Sequence, residues 1–178
     1  MNNDIKEVLY SEDQLRDRIR QLGAKVSNDY SGKELILIGV LKGSVIFMAD
    51  LVKQITIPCK MDFMAVSSYG NSTETSGVVK ILKDLDFEIQ GKDVLIVEDI
   101  IDSGVTLKYL TKYLGARKPN SLEIICLLNK PERRKVNIDV KYMGYDVPDY
   151  FLVGFGLDYA EKYRNLPYIG ILKDEIYQ

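Results

Sequence analysis

Two hydrophobic periods alternate along this chain. Over residues 11–29, Leu15, Ile19, Leu22 and Val26 recur on one helical face, and Ser11 with Gln14 forms a capping-box pattern at its start. "LILIGVL" (35–41) is apolar throughout and predicts a buried strand, "KGS" a turn, and "VIFMADLVKQI" (45–55) a second helix. Residues 60–69 alternate as a strand does. "GNSTETSG" (70–77) is small and polar and predicts a loop, with a strand returning over 78–85. "DVLIVE" (93–98) predicts another buried strand. A helix follows from about Val105, with Leu107, Leu110 and Leu114 on one face, ending at Gly115 ahead of Pro119. Further strands are expected over 122–128, 136–145, 150–156 and 168–172.

Apolar strands alternating with helices predict an α/β fold: a mainly parallel, twisted sheet flanked by helices. No internal repeat or Pro-rich linker interrupts the 178 residues, so one domain over 1–178 is expected, with the two ends folding over the sheet as a small cap or hood.

Composition narrows the chemistry. Acidic residues (26) slightly outnumber basic ones (24), so no strongly positive field points to a nucleic-acid partner. The start "MNNDIKEVLY" has no apolar leader pattern, and no later run is long enough to span a membrane; a cytoplasmic protein without a membrane partner is expected. Cys59 and Cys126 are far apart in sequence and lack metal-ligand spacing. Cys126, inside "IICLL", reads as a small core residue, not as half of a disulfide. The chain has no histidine. That absence removes Ser-His-Asp and Cys-His catalysis and leaves acid–base work to carboxylates, Lys or Tyr.

One stretch stands apart. "VLIVEDIIDSGVTL" (94–107) carries a buried strand into Glu98 and Asp99, then into Asp102, Ser103, Gly104, Val105 and Thr106 at a helix start. Free backbone N–H groups, two hydroxyls and a glycine that permits close approach suit a phosphate. Helix capping alone accounts for Ser103 and Gly104 but gives Glu98 and Asp99 no purpose. Other nucleotide motifs fail: there is no GxxxxGK[ST], and "GFGLDY" lacks the third glycine of a dinucleotide fingerprint.

Two acids followed by a phosphate loop resemble the ribose-phosphate signature of the type I phosphoribosyltransferases. "LKGS" (41–44), "SSYGN" (67–71), "LLNKPERR" (127–134) and "DYFLVGFGLDYAEKYRNLPYIGIL" (149–172) are similar, in order and spacing, to the hypoxanthine(-guanine) branch of that family. The resemblance covers nearly the whole chain from about residue 35. It implies transfer of a ribosyl phosphate from phosphoribosyl pyrophosphate to hypoxanthine or guanine, giving IMP or GMP and pyrophosphate. It also implies Mg²⁺ as cofactor and a homo-oligomer, dimer or tetramer.

Residue by residue, the resemblance makes Asp102 the catalytic acid beside N7 of the purine. Glu98 and Asp99 hold the ribose hydroxyls, Asp102 to Thr106 the 5′-phosphate, and Leu41, Lys42 and Gly43 together with Arg164 the pyrophosphate. The purine falls to Lys130, which donates to its 6-oxo oxygen, to Phe151, which stacks on it, to the Leu152 backbone, and to Asp158. Magnesium falls to Glu98, Asp99 and Asp158, and Ser68 and Tyr69 begin a lid. Without the resemblance, Lys130 reads as a solvated loop residue, Phe151 and Leu152 as strand core, and Asp158 with Arg164 as a surface pair. A sister enzyme preferring xanthine and an RNA-binding regulator of the same fold remain the alternatives.

Overall fold

The computed structural model describes residues 1–68 (Ser68 by its backbone alone) and 79–177. Tyr69 and the loop expected over 70–77 lie outside the described residues.

The helix predicted first is α1 (Glu12–Asp29). Ser11 Oγ accepts from the Gln14 N–H and the Gln14 side chain accepts from the Ser11 N–H, so the capping box closes. Its predicted apolar face is buried. Next come β2 (Leu35–Leu41), α2 (Val45–Val52), β3 (Cys59–Ser68) and β4 (Val79–Lys83). They are followed by β5 (Asp93–Ile101), α3 (Val105–Gly115), β6 (Ser121–Asn129) and β7 (Tyr142–Asp146). The main sheet has the order β4-β3-β2-β5-β6-β7, parallel except for the edge hairpin strand β4.

Period 2 sorts this sheet's side chains onto two faces. Leu35 and Leu37 of β2 and Leu95 and Val97 of β5 pack with α1 and α2. Ile36, Ile38, Val94 and Ile96 pack with Leu107, Leu110 and Leu114 of α3. Cys126 belongs to that second core, and both cysteines are free thiols. The chain leaves β2 toward β3 on one side and later resumes on the other with β5, so the sheet's switch point lies between the carboxyl ends of β2 and β5. That crevice is where ligands bind in open α/β sheets.

The expected hood is present, and it needs a strand that periodicity did not predict. β1 (Ile5–Tyr10) pairs antiparallel with β9 (Ile169–Leu172), which pairs with β8 (Leu152–Val153). "IKEVLY" is mostly exposed and alternates poorly, so only its distant partner makes it a strand. A one-turn helix, α4 (Asp174–Tyr177), follows β9.

Three expected strands come out differently. The strand of 150–156 shrinks to two residues, because Gly154, Phe155 and Gly156 all take positive φ and turn the chain out of the ladder. The strand of 136–145 begins only at Tyr142. Before it the chain runs past α3, where Lys108 Nζ donates to Asn137 O, and Ile138 and Val140 pack on the core from an irregular segment. The strand of 93–98 is longer than expected: β5 continues through Glu98 and Asp99 to Ile101. Its acids therefore stand on a rigid strand end, not in a loop.

Candidate active site

Because β5 is extended through residues 98 and 99, successive side chains there point to opposite faces of the sheet. Glu98 turns to the α3 side and lines a cavity of about 150 Å³ with Asp102, Ser103, Gly104 and Thr106. Asp99 turns to the α2 side and lines a larger cavity, about 440 Å³, with Gly43, Asp102, Lys130, Phe151, Leu152, Asp158 and Arg164. Asp102 lines both cavities, so it stands between them.

The smaller cavity sits on the first turn of α3. Gly104 takes φ 79, a left-handed conformation that L side chains rarely adopt, and no side chain caps the helix. Ser103 Oγ accepts from the Val105 N–H at 3.3 Å, and Val105 does not line the cavity. The Lys135 N–H bonds Ser103 O and fixes the turn from outside.

Both strand acids are held against their ionised form. Burial, joined by the charge of Asp99, pushes the Glu98 carboxyl well above the carboxylate range. Burial also pushes Asp99 up to about 6, against the N–H groups of Ile100 and Asp99 itself and the Arg164 charge, with Asp102 adding repulsion. Hydroxyl donors or a cation beside these carboxyls would offset the burial and favour their ionised form. A folded pKa raised above the unfolded value means stability that is present at low pH and lost as pH rises through the folded value. Wild type and Asp99→Asn should therefore melt at similar temperatures near pH 4. As pH climbs from 3.8 through about 6, wild type should fall progressively below the variant. Parallel melting curves across that range would mean that Asp99 ionises freely.

Gly43 ties the turn after β2 to this acid. A Cβ added at Gly43 would sit 1.9 Å from Asp99 Oδ2, so only glycine lets the two meet. The Leu41–Lys42 peptide is cis. Leu41 and Lys42 line neither cavity; the Lys42 ammonium instead pairs with Glu161 at 3.1 Å.

Lys130 follows β6 and is only 6% exposed. Its Nζ donates to Tyr150 O at 2.8 Å and lies 3.5 Å from Asp149 and 3.7 Å from Asp102. Arg164 donates to Gly156 O at 2.7 Å and pairs with Asp158 at 2.8 Å, while the other Asp158 oxygen accepts the Glu161 N–H. The Phe151 ring is stacked on Tyr177 of α4, centroids 4.7 Å apart, and meets Tyr159 edge-on. A planar ligand stacking on Phe151 must displace Tyr177 or use the opposite face. Ser68 ends β3 and pairs with Val79; Tyr69 lies outside the described residues.

Three lining residues carry no sequence signal of their own: Arg133, Asp149 and Tyr177. Asp149 and Tyr177 reach the cavity through the hood, and only the "DYF" and "KPER" neighbourhoods hinted at the first two.

A strand-end acid pair, an uncapped helix start and a lysine-aspartate cavity at an α/β switch point define a binder of phosphorylated sugars. Residues 8–160 match the family described as the phosphoribosyl transferase domain. A hypoxanthine-guanine phosphoribosyltransferase of Staphylococcus aureus is 55% identical over 177 residues, 99% of each chain. One from Streptococcus agalactiae is 56% identical, over 99% of this chain and 98% of that one. The crystal structure of a Staphylococcus aureus hypoxanthine phosphoribosyltransferase superposes with a TM-score of 0.98 at 54% identity, covering 100% of this chain and 97% of that one. The chain belongs to the phosphoribosyltransferases and, within them, to the hypoxanthine-guanine phosphoribosyltransferase family.

Proposed function

We propose that this protein moves the 5-phosphoribosyl group of phosphoribosyl pyrophosphate onto N9 of hypoxanthine or guanine, giving IMP or GMP in purine salvage. The observation that carries this reading is the Lys130–Asp102 pair. Their charged atoms lie 3.7 Å apart in the cavity that also holds Asp99. A purine bearing a 6-oxo group presents O6 and N7 side by side on one edge. Lysine only donates, so it suits O6 and opposes the amino group of adenine. Asp102 faces N7.

In the reaction the C1′–oxygen bond to pyrophosphate breaks, the N9–C1′ bond forms, and the proton on N7 passes to Asp102. Glu98 and Asp99 hold the ribose hydroxyls, whose O–H groups donate to the carboxylate oxygens and offset their burial. The turn Asp102 to Thr106 takes the 5′-phosphate in the smaller cavity. Gly43, at the end of the Leu41–Lys42 turn, takes the pyrophosphate with Arg164, which exchanges its internal partners for the leaving group. Phe151 and the Leu152 backbone orient the base.

Among the described residues no three acidic, His or Cys side chains gather tightly enough to hold a metal alone. Magnesium commonly takes one or two carboxylates and completes its shell with substrate oxygens and water. Asp99 and Asp158, both on the larger cavity, fit that habit, whereas Glu98 turns to the other face of β5 and lines the smaller cavity. Bound there, Mg²⁺ supplies positive charge to a departing pyrophosphate.

Among the described residues no helix is long and apolar enough to cross a membrane, in keeping with a cytoplasmic enzyme. Val45 and Ile46 are exposed on α2, an apolar face that suits a homo-oligomer.

The test is nucleotide formation from hypoxanthine, guanine and xanthine with phosphoribosyl pyrophosphate and Mg²⁺. Lys130→Ala should raise the KM for hypoxanthine and guanine roughly 10–100-fold, the worth of a charged hydrogen bond. The KM for phosphoribosyl pyrophosphate should hardly move. Equal losses for both substrates would make Lys130 structural.

A further inference from the structure

We propose that Asp149 is a positioning residue that sets selectivity for the 6-oxo group by holding the Lys130 ammonium in place from behind. The proposal rests on Lys130 being the donor to that oxygen.

Lys130 Nζ is fixed by the loop leading to β8. Tyr150 O accepts one of its three N–H bonds at 2.8 Å, and Asp149 Oδ1 lies 3.5 Å from the same Nζ. The loop is itself pinned to the end of β6, since Val147 N–H donates to Asn129 O, and Tyr150 N–H returns to Pro148 O. Asp102, at 3.7 Å, is the second carboxylate facing the ammonium. Asp99, Asp158 and Arg164 line the same cavity but do not pair with it.

When a purine arrives, Asp102 is drawn to N7. Asp149 then remains as the counter-charge of an ammonium that is 6% exposed, and a buried cation without one is strongly disfavoured. Arg133 explains the distance. Its Nε takes the closest contact with Asp149 Oδ1, and the same oxygen is the one facing Lys130. Tethered this way, Asp149 supplies charge without closing onto Nζ. One N–H is spent on Tyr150 O and another is left pointing into the cavity. Lysine's flexible stem does not aim itself; the loop aims it.

The experiment compares hypoxanthine with unsubstituted purine, the same ring without the 6-oxo group, as ligands of the intact enzyme. KM is measured for hypoxanthine and an inhibition constant for purine. Asp149→Asn keeps the side chain's shape and removes its charge. It should raise the hypoxanthine KM roughly tenfold, as expected when a buried ammonium loses a counter-charge that is itself 37% exposed. The inhibition constant of purine and the KM of phosphoribosyl pyrophosphate should stay within about twofold. Asp149→Glu should recover most of the preference. A merely structural role predicts equal weakening of hypoxanthine and purine by Asp149→Asn, and that result overturns the proposal, as does an unchanged hypoxanthine KM. Lys130→Ala, measured alongside, separates the two layers. If it abolishes the 6-oxo preference while Asp149→Asn does not, the positioning role alone fails. If Lys130→Ala leaves the preference intact, the donor assignment fails and the positioning role falls with it.

Discussion

Asp102→Asn is expected to lower kcat by about 10²–10⁴-fold, the usual worth of a positioned proton acceptor, while both KM values change little. The carboxylate stands between the two cavities, lining the one at the α3 start and the one holding Lys130. Asparagine keeps the size and the hydrogen-bonding shape but cannot take the N7 proton. No histidine stands by to replace it, since the chain has none. Of the other titratable groups on the larger cavity, Lys130 is occupied by Tyr150 O and two carboxylates, Asp158 is paired with Arg164 and Asp149 with Arg133, and Asp99 holds the ribose in the proposed mechanism. The loss should therefore appear in the chemical step, read by single-turnover formation of IMP. An Asp102→Asn protein with most of its kcat would remove this residue from the chemistry.

Gly43→Ala should cost about 10²-fold in kcat/KM for phosphoribosyl pyrophosphate, the scale reached when a reacting group is misplaced by about 1 Å. The added methyl would lie 1.9 Å from Asp99 Oδ2 and 2.7 Å from its Cγ, so either the carboxyl or the turn after β2 must move. Each carries part of the same substrate in the proposed mechanism: the acid its ribose, the turn its pyrophosphate. The methyl meets a side chain at the cavity wall and not the packed sheet, so the fold should survive. A melting temperature within a few degrees of wild type, together with the kinetic loss, is the expected pair of results. A variant with wild-type kcat/KM would show that the Gly43–Asp99 contact has no part in substrate use.

How much of this was readable beforehand differs from element to element. Helix α1 was legible because its cap and its apolar face are properties of residues three and four apart. The acids and the Ser-Gly turn of 98–106 were legible for the same reason: a strand, two carboxylates and a helix start occur within a dozen residues. By contrast, β1 was not legible. Its neighbour in the hood is β9, more than 150 residues later, and an edge strand with exposed Lys6 and Glu7 shows no periodicity of its own. The strand expected over 150–156 failed because three consecutive positive φ values, one of them at Phe155, override the local apolar run.

The expected strand stopped at Glu98; that it continues through Asp99 and so parts the two side chains, and to which cavity each turns, was not legible. The cavity each faces follows from α3 covering one face of the sheet and α1 with α2 the other. The amino-acid sequence by itself determined the class of fold, the acid pair, the Ser-Gly turn proposed to take a phosphate and the absence of histidine chemistry, because each is written in neighbouring residues. The tertiary structure alone decided that Gly43 must lack a side chain beside Asp99, that Tyr177 covers Phe151, and that Arg133, Asp149 and Lys130 form one line of charge. Those contacts join segments brought together only by strand order and by the hood, and chain separation carries no local pattern from which to read them.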